Sequence, residues 1–345
     1  MQECDIEYEI IKKKRDITMW TDYKKNNIQI VKALATMAVI LIHTTTFWPY
    51  DYVVFPFIAP CVGVFIFISG YLTRANIPDL PAFYKRRLVK VLVPYFICSL
   101  LYCAISHSWD NLIMRLILGQ CNLTYYYIFV FVQLILLTPL IAKIVESKWY
   151  FILLFITPLA MMTEEFLIRR GAGIIFPNNI NNFLVWITYF AIGMRWRYLE
   201  DSDSVSEPGV SRAVTGAAVT IIGLELQFIE SHWWMDFGRN DLATSMVKVS
   251  VFITIVGLCN VLYYYINVRK SDKGENIIRR IIKLVGDKAF ELYLLHQFTM
   301  YIIGFFPRIY GLNPFIKMII VLVVTLAAIY IIEGLYKMLR KIVAA

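Results

Sequence analysis

Residues 28–47 read IQIVKALATMAVILIHTTTF, an apolar run whose interior contains a single charged residue, Lys32, and a single histidine, His43. Twenty helical residues rise about 30 Å, which is the thickness of the hydrocarbon layer of a bilayer. The run therefore predicts a helix that crosses a membrane with both of these polar side chains inside it.

Nine further apolar runs follow in the chain. They lie near residues 53–72, 88–107, 125–144, 149–162, 182–198, 212–230, 242–266, 289–306 and 316–337. Of the 345 residues, 59% are hydrophobic and 17% are charged, and the mean hydropathy is +0.61. This composition excludes an ordinary soluble domain and predicts an all-α, polytopic membrane protein with about ten transmembrane helices. The shorter run at 112–119 is expected to lie along the membrane interface.

The cationic residues are distributed unequally between the two sets of alternate loops. The N-terminal tail, the C-terminal tail and the loops on their side contain 25 Lys and Arg, whereas the opposite loops contain 6. Cytoplasmic loops are enriched in Lys and Arg, so both termini are predicted to be cytoplasmic. The expected organisation is a cytoplasmic tail at 1–27, a membrane domain at 28–338 and a short cytoplasmic tail at 339–345.

The net charge of +9 serves this insertion topology, and it also attracts the protein to anionic membrane lipid. No nucleic-acid-binding motif accompanies the charge, so no nucleic acid is expected as a partner. The six cysteines form no CxxC pair, which argues against a disulfide framework and a zinc site. No metal and no bound cofactor are expected.

Lys32 and His43 are the first candidates for function because polar side chains are costly inside a membrane. Eleven helical steps separate them by roughly 16 Å, with Lys32 near the cytoplasmic face and His43 in the outer half. Lys32 could instead be an interfacial anchor, and His43 could be a hydrogen-bonding residue between helices.

A second candidate region begins at the end of the second apolar run, where Ser69 lies in the sequence SGYL. Cationic residues follow this sequence and continue into the third predicted helix. These cations are Arg74, Arg86, Arg87 and Lys90. They are either positive-inside anchors or a binding site for a phosphorylated ligand, since guanidinium and ammonium groups match phosphate oxygens. Lys90 favours the ligand site because it lies one turn deeper than an anchor requires.

These motifs together resemble the acyltransferase-3 family of bacterial membrane acyltransferases, over residues from about 26 to 340. The family pattern appears as Lys32-x10-His43, SGYL at 69–72, the basic stretch from Phe83 through Arg86 and Lys90 to Pro94, FAIG at 190–193, and GDKAFELYLLH at 286–296. Two positions depart from the pattern: the family arginine is Lys32, and a family serine is Ala289. Lysine retains the charge but loses the bidentate fork of arginine.

The resemblance implies transfer of an acyl group, usually acetyl, from a cytoplasmic donor such as acetyl-CoA to a sugar hydroxyl. The acceptor would be a surface or lipid-linked polysaccharide, and the protein would lie in the bacterial cytoplasmic membrane. Lys32, Ser69 and the cations that follow are the expected donor-binding residues. His43 is the expected general base, or alternatively a covalent acyl carrier.

His296 and Glu291 are the other expected catalytic residues. Counting from the start of its helix places His296 near mid-membrane, shallower than His43, which argues against direct contact between the two histidines. Glu291 is expected to lie beside His296 on the same helix face, where it could orient that histidine or line the path of the acceptor. The competing function is a transporter or flippase for a glycan or lipid-linked intermediate, which the intramembrane charges would also suit. The absence of paired broken helices in two halves argues against transport.

Overall fold

The computed structural model describes residues 2–46, 48–171, 179–202, 208–268 and 276–344, with the side chains of 2–21, 179, 310 and 342–344 left out. Fifteen α-helices and no strand occur in these ranges. The first eight are α1 (Gln2–Thr45), α2 (Asp51–Ile58), α3 (Cys61–Tyr71), α4 (Leu80–Ile105), α5 (Leu112–Leu118), α6 (Tyr126–Glu146), α7 (Tyr150–Arg169) and α8 (Ile187–Asp201). The others are α9 (Val210–Asp236), α10 (Asn240–Ala243), α11 (Val249–Asn267), α12 (Ile277–Asp287), α13 (Ala289–Gly304), α14 (Pro307–Tyr310) and α15 (Pro314–Ala344). The all-α polytopic class is confirmed.

Within the described ranges, eight segments are long and apolar enough to cross a membrane. They are Asp22–Thr45, Asp51–Tyr71, Leu80–Ile105, Leu123–Glu146, Tyr150–Arg169, Val210–Asp236, Val249–Asn267 and Pro314–Lys341. The other two expected spans correspond to α8 and α13, which contain 15 and 16 residues. Helices of this length rise only about 24 Å, less than the hydrocarbon thickness. The cytoplasmic position of both termini and the two tails stays a prediction.

Two sequence motifs, SGYL and FAIG, pack directly against each other where α3 meets α8. A Cβ atom on Gly70 would lie 2.1 Å from the carbonyl oxygen of Phe190, and one on Gly193 would lie 2.2 Å from the carbonyl oxygen of Phe67. Only hydrogen fits at these two positions, because the helix backbones approach too closely for any side chain. The two glycines therefore fix the distance between α3 and α8, as small residues do in membrane helix pairs.

The tyrosine of SGYL ties several helices together. The Tyr71 hydroxyl donates to the carboxylate of Glu200 at 2.9 Å, and the Lys24 ammonium contacts the same carboxylate at 3.2 Å. The Asn267 amide donates to the Tyr71 oxygen at 3.3 Å. These residues come from α1, α3, α8 and α11, so the network holds four helices together near the end of α3. The chain continues from there into the segment that contains Arg74, Arg86, Arg87 and Lys90.

α1 occupies a central place and contacts α3, α11, α12, α13 and α15. Its contact with α12 is close, since a Cβ on Gly286 would lie 1.9 Å from the carbonyl oxygen of Gln29. α13 begins three residues later and packs between α1 and α15. This arrangement brings the histidine-bearing segments of α1 and α13 together.

The short run at 112–119 forms α5, which has no buried residue. Ile113, Met114 and Ile117 are among its exposed side chains. A seven-residue helix cannot span a bilayer, so its exposed apolar surface agrees with the expected position along the interface.

Candidate active site

His43 and His296 are in direct contact. Their ring centroids lie 5.3 Å apart with an interplanar angle of 34°. The expectation that they would not meet was therefore wrong. From the sequence, only the depth of each histidine along its own helix could be compared. The depths of His43 and His296 differ by four residues, which amount to only about 6 Å. Two imidazole side chains on packed helices can bridge that offset by leaning toward each other.

His296 is fully buried and its ring is held at both nitrogens. Nδ1 lies 3.0 Å from the carbonyl oxygen of Leu292 and 2.8 Å from that of Tyr293. Carbonyl oxygens only accept hydrogen bonds, so Nδ1 carries the proton. Nε2 then accepts from the amide nitrogen of Gln297 at 3.3 Å. The ring is fixed in one tautomer, and this arrangement suits a positioning residue better than a reactive one.

His43 differs from His296 both in its burial and in its hydrogen bonding. Its ring is partly accessible because it faces cavities inside the helix bundle. Among the residues that the structure describes, no hydrogen bond to the His43 ring is present. Its nitrogens are therefore available to a substrate.

Glu291 does not lie beside His296, contrary to expectation. Five residues along a helix correspond to 500°, so the two side chains point about 140° apart. Glu291 instead lines a cavity together with Lys32 and Asp287. Both carboxylates interact electrostatically with the Lys32 ammonium, which also donates to the side-chain oxygen of Gln29 at 3.0 Å.

The first of two cavities at His43, here called the inner cavity, extends from Lys32 to His43 and has a volume of about 330 Å³. Its walls are largely aromatic and aliphatic. They include Phe65, Tyr126, Tyr127, Phe131, Met246, Phe290 and Tyr293. Ser69 also lines it, with its hydroxyl donating to the carbonyl oxygen of Phe65 at 2.8 Å. The cavity is an apolar tunnel with charged groups at one end and a histidine at the other.

A wide cationic groove adjoins the charged end of the inner cavity, and Arg87 and Lys90 line both. The groove is lined by the cations Arg74, Lys85, Arg86, Arg87 and Lys90 and has a volume of about 1070 Å³. The donor-binding residues expected from the sequence thus line these two adjoining spaces, and Arg74 also lies 3.7 Å from the carboxylate of Asp201. The guanidinium of Arg87 donates hydrogen bonds to the carbonyl oxygen of Leu72 and to the hydroxyl oxygen of Thr73.

The second cavity, here called the outer cavity, lies on the other side of His43 and measures about 220 Å³. It is lined by His43, Thr44, Thr46, Tyr102, Asn122, Leu123, Gln297, Met300, Ile303, Lys317 and Val321. Among the residues that the structure describes, His43 alone lines both cavities. Its ring therefore stands between a space that leads to the cationic groove and a space on the opposite side.

The sequence interpretation missed most of the outer cavity. Gln297 had a recognisable signal, because an amide beside His296 in an apolar helix is a costly polar group. Asn122 and Lys317 lie at the starts of apolar runs, where polar residues are ordinary and give no signal. Their approach to His43 depends on how α1, α6, α13 and α15 pack, which no local pattern reveals.

Comparison with models of protein families gives a match. A sequence model described as an acyltransferase domain, that of the acyltransferase-3 family, matches residues 25–334, which is nearly the whole chain. No curated protein and no solved structure matches.

Proposed function

This chain belongs to the acyltransferase-3 family, and we propose that it transfers an acyl group from cytoplasmic acyl-CoA to a glycan hydroxyl across the membrane. In the simplest case the group is acetyl, donated by acetyl-CoA. The glycan is a cell-surface or lipid-linked polysaccharide, and the protein resides in the bacterial cytoplasmic membrane. The observation that carries this proposal is that His43 lines both the inner and the outer cavity.

The inner cavity and the cationic groove suit the donor. Coenzyme A has phosphates at one end and a thioester at the end of a flexible arm. Its phosphates would lie among the groove cations, for which guanidinium and ammonium groups are the preferred partners. The arm would pass Arg87 and Lys90 into the inner cavity, whose walls are mostly apolar, and deliver the thioester to His43.

The outer cavity would hold the acceptor hydroxyl on the other face of His43. The imidazole removes the hydroxyl proton as the oxygen attacks the thioester carbonyl carbon. A C–O bond forms, the C–S bond breaks, and the departing thiolate takes the proton from the imidazolium. In the alternative route the imidazole carries the acyl group covalently, and CoA is then released before any acceptor is present.

His296 acts as a positioning residue in this proposal. Its tautomer is fixed by the carbonyl oxygens of Leu292 and Tyr293, and its ring packs against that of His43. It therefore sets the orientation of the reactive imidazole.

The proposed reaction is tested by substituting His43 and measuring acylation of surface glycans by mass spectrometry, with radiolabelled acetyl-CoA as donor in membranes. His43→Ala should reduce transfer by roughly 10²- to 10⁴-fold, the usual contribution of a general base. His232→Ala is the matched control, because His232 is exposed and lines neither cavity. Wild-type acylation by the His43 variant would refute the assignment and reopen the transporter interpretation.

The donor site is tested separately by calorimetric binding of acetyl-CoA to detergent-purified protein. Arg86 is exposed, so its single removal should weaken binding by up to about 5-fold, as expected of a solvated ion pair. The double variant Arg86→Ala/Lys90→Ala should lose more. Lys143→Ala, an exposed cation outside the groove, should bind normally. Unchanged affinity in the double variant would identify the cluster as a membrane anchor only.

A further inference from the structure

The helices around the inner cavity share one reference level, which is the hydrogen-bond network at Tyr71. Tyr71 is the last residue of α3 and Asn267 is the last residue of α11. Both meet near the carboxylate that Lys24 contacts, and Lys24 lies at the beginning of the membrane-crossing part of α1. α1 therefore runs antiparallel to α3 and to α11.

Counting from this level places Met246 beside His43. His43 comes nineteen helical residues after Lys24 in α1, which corresponds to roughly 28 Å. α11 contains 19 residues, so its first residue, Val249, lies roughly 27 Å from Asn267, and Met246 comes shortly before it. Since Met246 and His43 both line the inner cavity, they lie at the same end of it, away from the charged end.

Met246 belongs to a short segment between α10 and α11 that buried hydrogen bonds hold in place. The Lys248 ammonium donates to the Ser231 hydroxyl at 3.1 Å and to the carbonyl oxygen of Ala243 at 2.9 Å. The Ser231 hydroxyl donates to the same carbonyl oxygen at 2.9 Å. Lys248 is only 3% exposed, and a buried ammonium is stable only when it is well bonded. These bonds fasten both ends of the segment to α9, so the backbone of Met246 is a fixed part of the cavity wall.

The side chain of Met246 is held against the cavity as well. The Tyr126 hydroxyl contacts its thioether sulfur at 3.7 Å, and sulfur is a weak acceptor. Tyr126 lines the cavity, and so does Val62, which lies near the beginning of α3 and hence toward His43. The surface next to His43 is thus largely apolar, which suits a hydrocarbon group better than a polar one.

The space for an acyl group at this end is small. The inner cavity, at about 330 Å³, is at the lower limit of the roughly 300–1,000 Å³ of ligand pockets. In the proposed reaction the pantetheine arm already occupies it over the roughly 16 Å from Lys32 to His43. Only a short acyl group then fits between the thioester and the wall that contains Met246.

We infer that the acyl group of the donor lies against Met246, and that this side chain limits the donor to acyl groups of a few carbons. This inference rests on the proposed acyl transfer, because that reaction places the thioester at His43. Met246 is then a specificity-determining residue and takes no part in the chemistry. Met246→Ala removes three heavy atoms from the wall, which lengthens the acyl site by about three carbons.

The test compares acetyl-CoA, pentanoyl-CoA and octanoyl-CoA, which differ only in the length of the acyl chain. Binding to detergent-purified protein without acceptor is measured by calorimetry, so the result does not depend on transfer. The wild type should bind acetyl-CoA at least about 10-fold more tightly than either longer donor, because the longer chains would overpack the site.

Met246→Ala should raise the affinity for pentanoyl-CoA relative to acetyl-CoA by about 10- to 100-fold, because three methylene groups become buried at about 4-fold each. Octanoyl-CoA should still bind weakly, since the new space takes only about half of its additional carbons. Met246→Leu keeps the side-chain volume and should keep the wild-type preference. Met162→Ala, which removes the same atoms from an exposed methionine, should also keep it.

Thermal unfolding of each variant shows whether the fold is retained. If Met246→Ala does not fold, Met246→Val, which is one heavy atom smaller than the wild type, should shift the preference in the same direction by a smaller factor. Equal binding of acetyl-CoA and pentanoyl-CoA to the wild type would overturn the inference. An unchanged preference in the folded smaller variant, or an equal gain for octanoyl-CoA, would also overturn it.

Transfer to the glycan separates this inference from the proposed function. If the wild type transfers acetyl groups and Met246→Ala leaves the donor preference unchanged, the function stands and the role of Met246 fails. If the preference shifts as expected but His43→Ala transfers at the wild-type rate, the acyl site stands and the proposed chemistry at His43 fails. No measurable binding of acetyl-CoA would overturn both.

Discussion

Substitution of Lys32 is the perturbation that most directly separates donor binding from chemistry. Lys32 lies at the charged end of the inner cavity, eleven residues and roughly 16 Å along α1 from His43. It is partly buried, and its ammonium faces Asp287, Glu291 and Lys90. Removing it should therefore affect the phosphate end of the donor and leave the reacting end intact.

The expected magnitude follows from two losses. Lys32→Ala removes a charged hydrogen bond to phosphate, worth about 1.5–3 kcal/mol, which corresponds to about 10- to 100-fold. It also leaves the carboxylates of Asp287 and Glu291 without their cation, and these would repel the donor. The KM for acetyl-CoA should rise by this factor, while kcat at saturating donor changes little, because uniform binding is lost.

The carboxylate contribution can be isolated with a double-mutant cycle. Glu291→Gln in the Lys32→Ala background should recover part of the lost affinity, because one repelling charge is removed. A coupling energy of about 0.5–3 kcal/mol is expected for two charges in one network. Lys32→Arg should be tolerated or bind the donor better, since its planar fork matches phosphate.

The assay is steady-state transfer from radiolabelled acetyl-CoA in reconstituted membranes, with calorimetric binding of acetyl-CoA as a second measurement. Lys143→Ala serves as the control for loss of one exposed cation outside the groove. A Lys32→Ala variant whose KM is unchanged would refute the assignment of Lys32 to the donor site. A variant whose KM is normal and whose kcat falls would instead place Lys32 in the chemical step.

Three further predictions concern the route of transfer, the packing and the topology. Incubation of the wild type with acetyl-CoA and no acceptor should release no stoichiometric burst of CoA; a burst that disappears in His43→Ala would show a covalent acyl-imidazole. Gly70→Ala should destabilise the protein by about 1–3 kcal/mol in a thermal unfolding assay, which is the usual cost of overpacking. The control is Gly304→Ala, which should be neutral or slightly stabilising because the space around Gly304 is open. Equal effects of the two substitutions would contradict the close packing at Gly70. A reporter fused after Ala345 should be cytoplasmic and one inserted within 48–53 should be external, and the reverse labelling would place the cationic groove on the wrong side for coenzyme A.

The helices were predictable because each depends on a local property. A run of about twenty apolar residues can satisfy its backbone hydrogen bonds in lipid only as a helix. The same rule explains which two of the expected spans fall short. α8 and α13 are too short to span by themselves, and α8 is buried by its neighbours from Ile187 to Met194. Their membership in the bundle comes from packing, which the apolar pattern does not describe.

The motifs were predictable as sequences but their contacts were not. SGYL and FAIG were recognisable separately, yet their function in the fold is to pack Gly70 and Gly193 against each other's helices. More than a hundred residues separate them in the chain. A glycine in a sequence indicates that a close approach is possible, but only the assembled helices show which backbone makes it.

The site shows the same division between local and long-range information. Lys32 and His43 stood out because polar groups inside an apolar helix require an explanation, and the structure places both on one cavity. The contact of His43 with His296 and the helix face of Glu291 relative to His296 were both misjudged. Each error came from treating rise along an axis as position in space, without the rotation around the helix or the packing of one helix on another.

The position of His43 between two cavities also explains why such a reaction would be carried out inside a membrane. Coenzyme A carries several phosphate charges, and each charge is expensive to move through a hydrocarbon layer. In the proposed reaction the donor stays on the cationic groove, and the acceptor stays in the outer cavity. Only a small uncharged acyl group passes the level of His43. Such a reaction needs no alternating conformations to carry a substrate across, because His43 lines both cavities at once. Lys32 and the groove cations would keep the charged donor on its own side of His43.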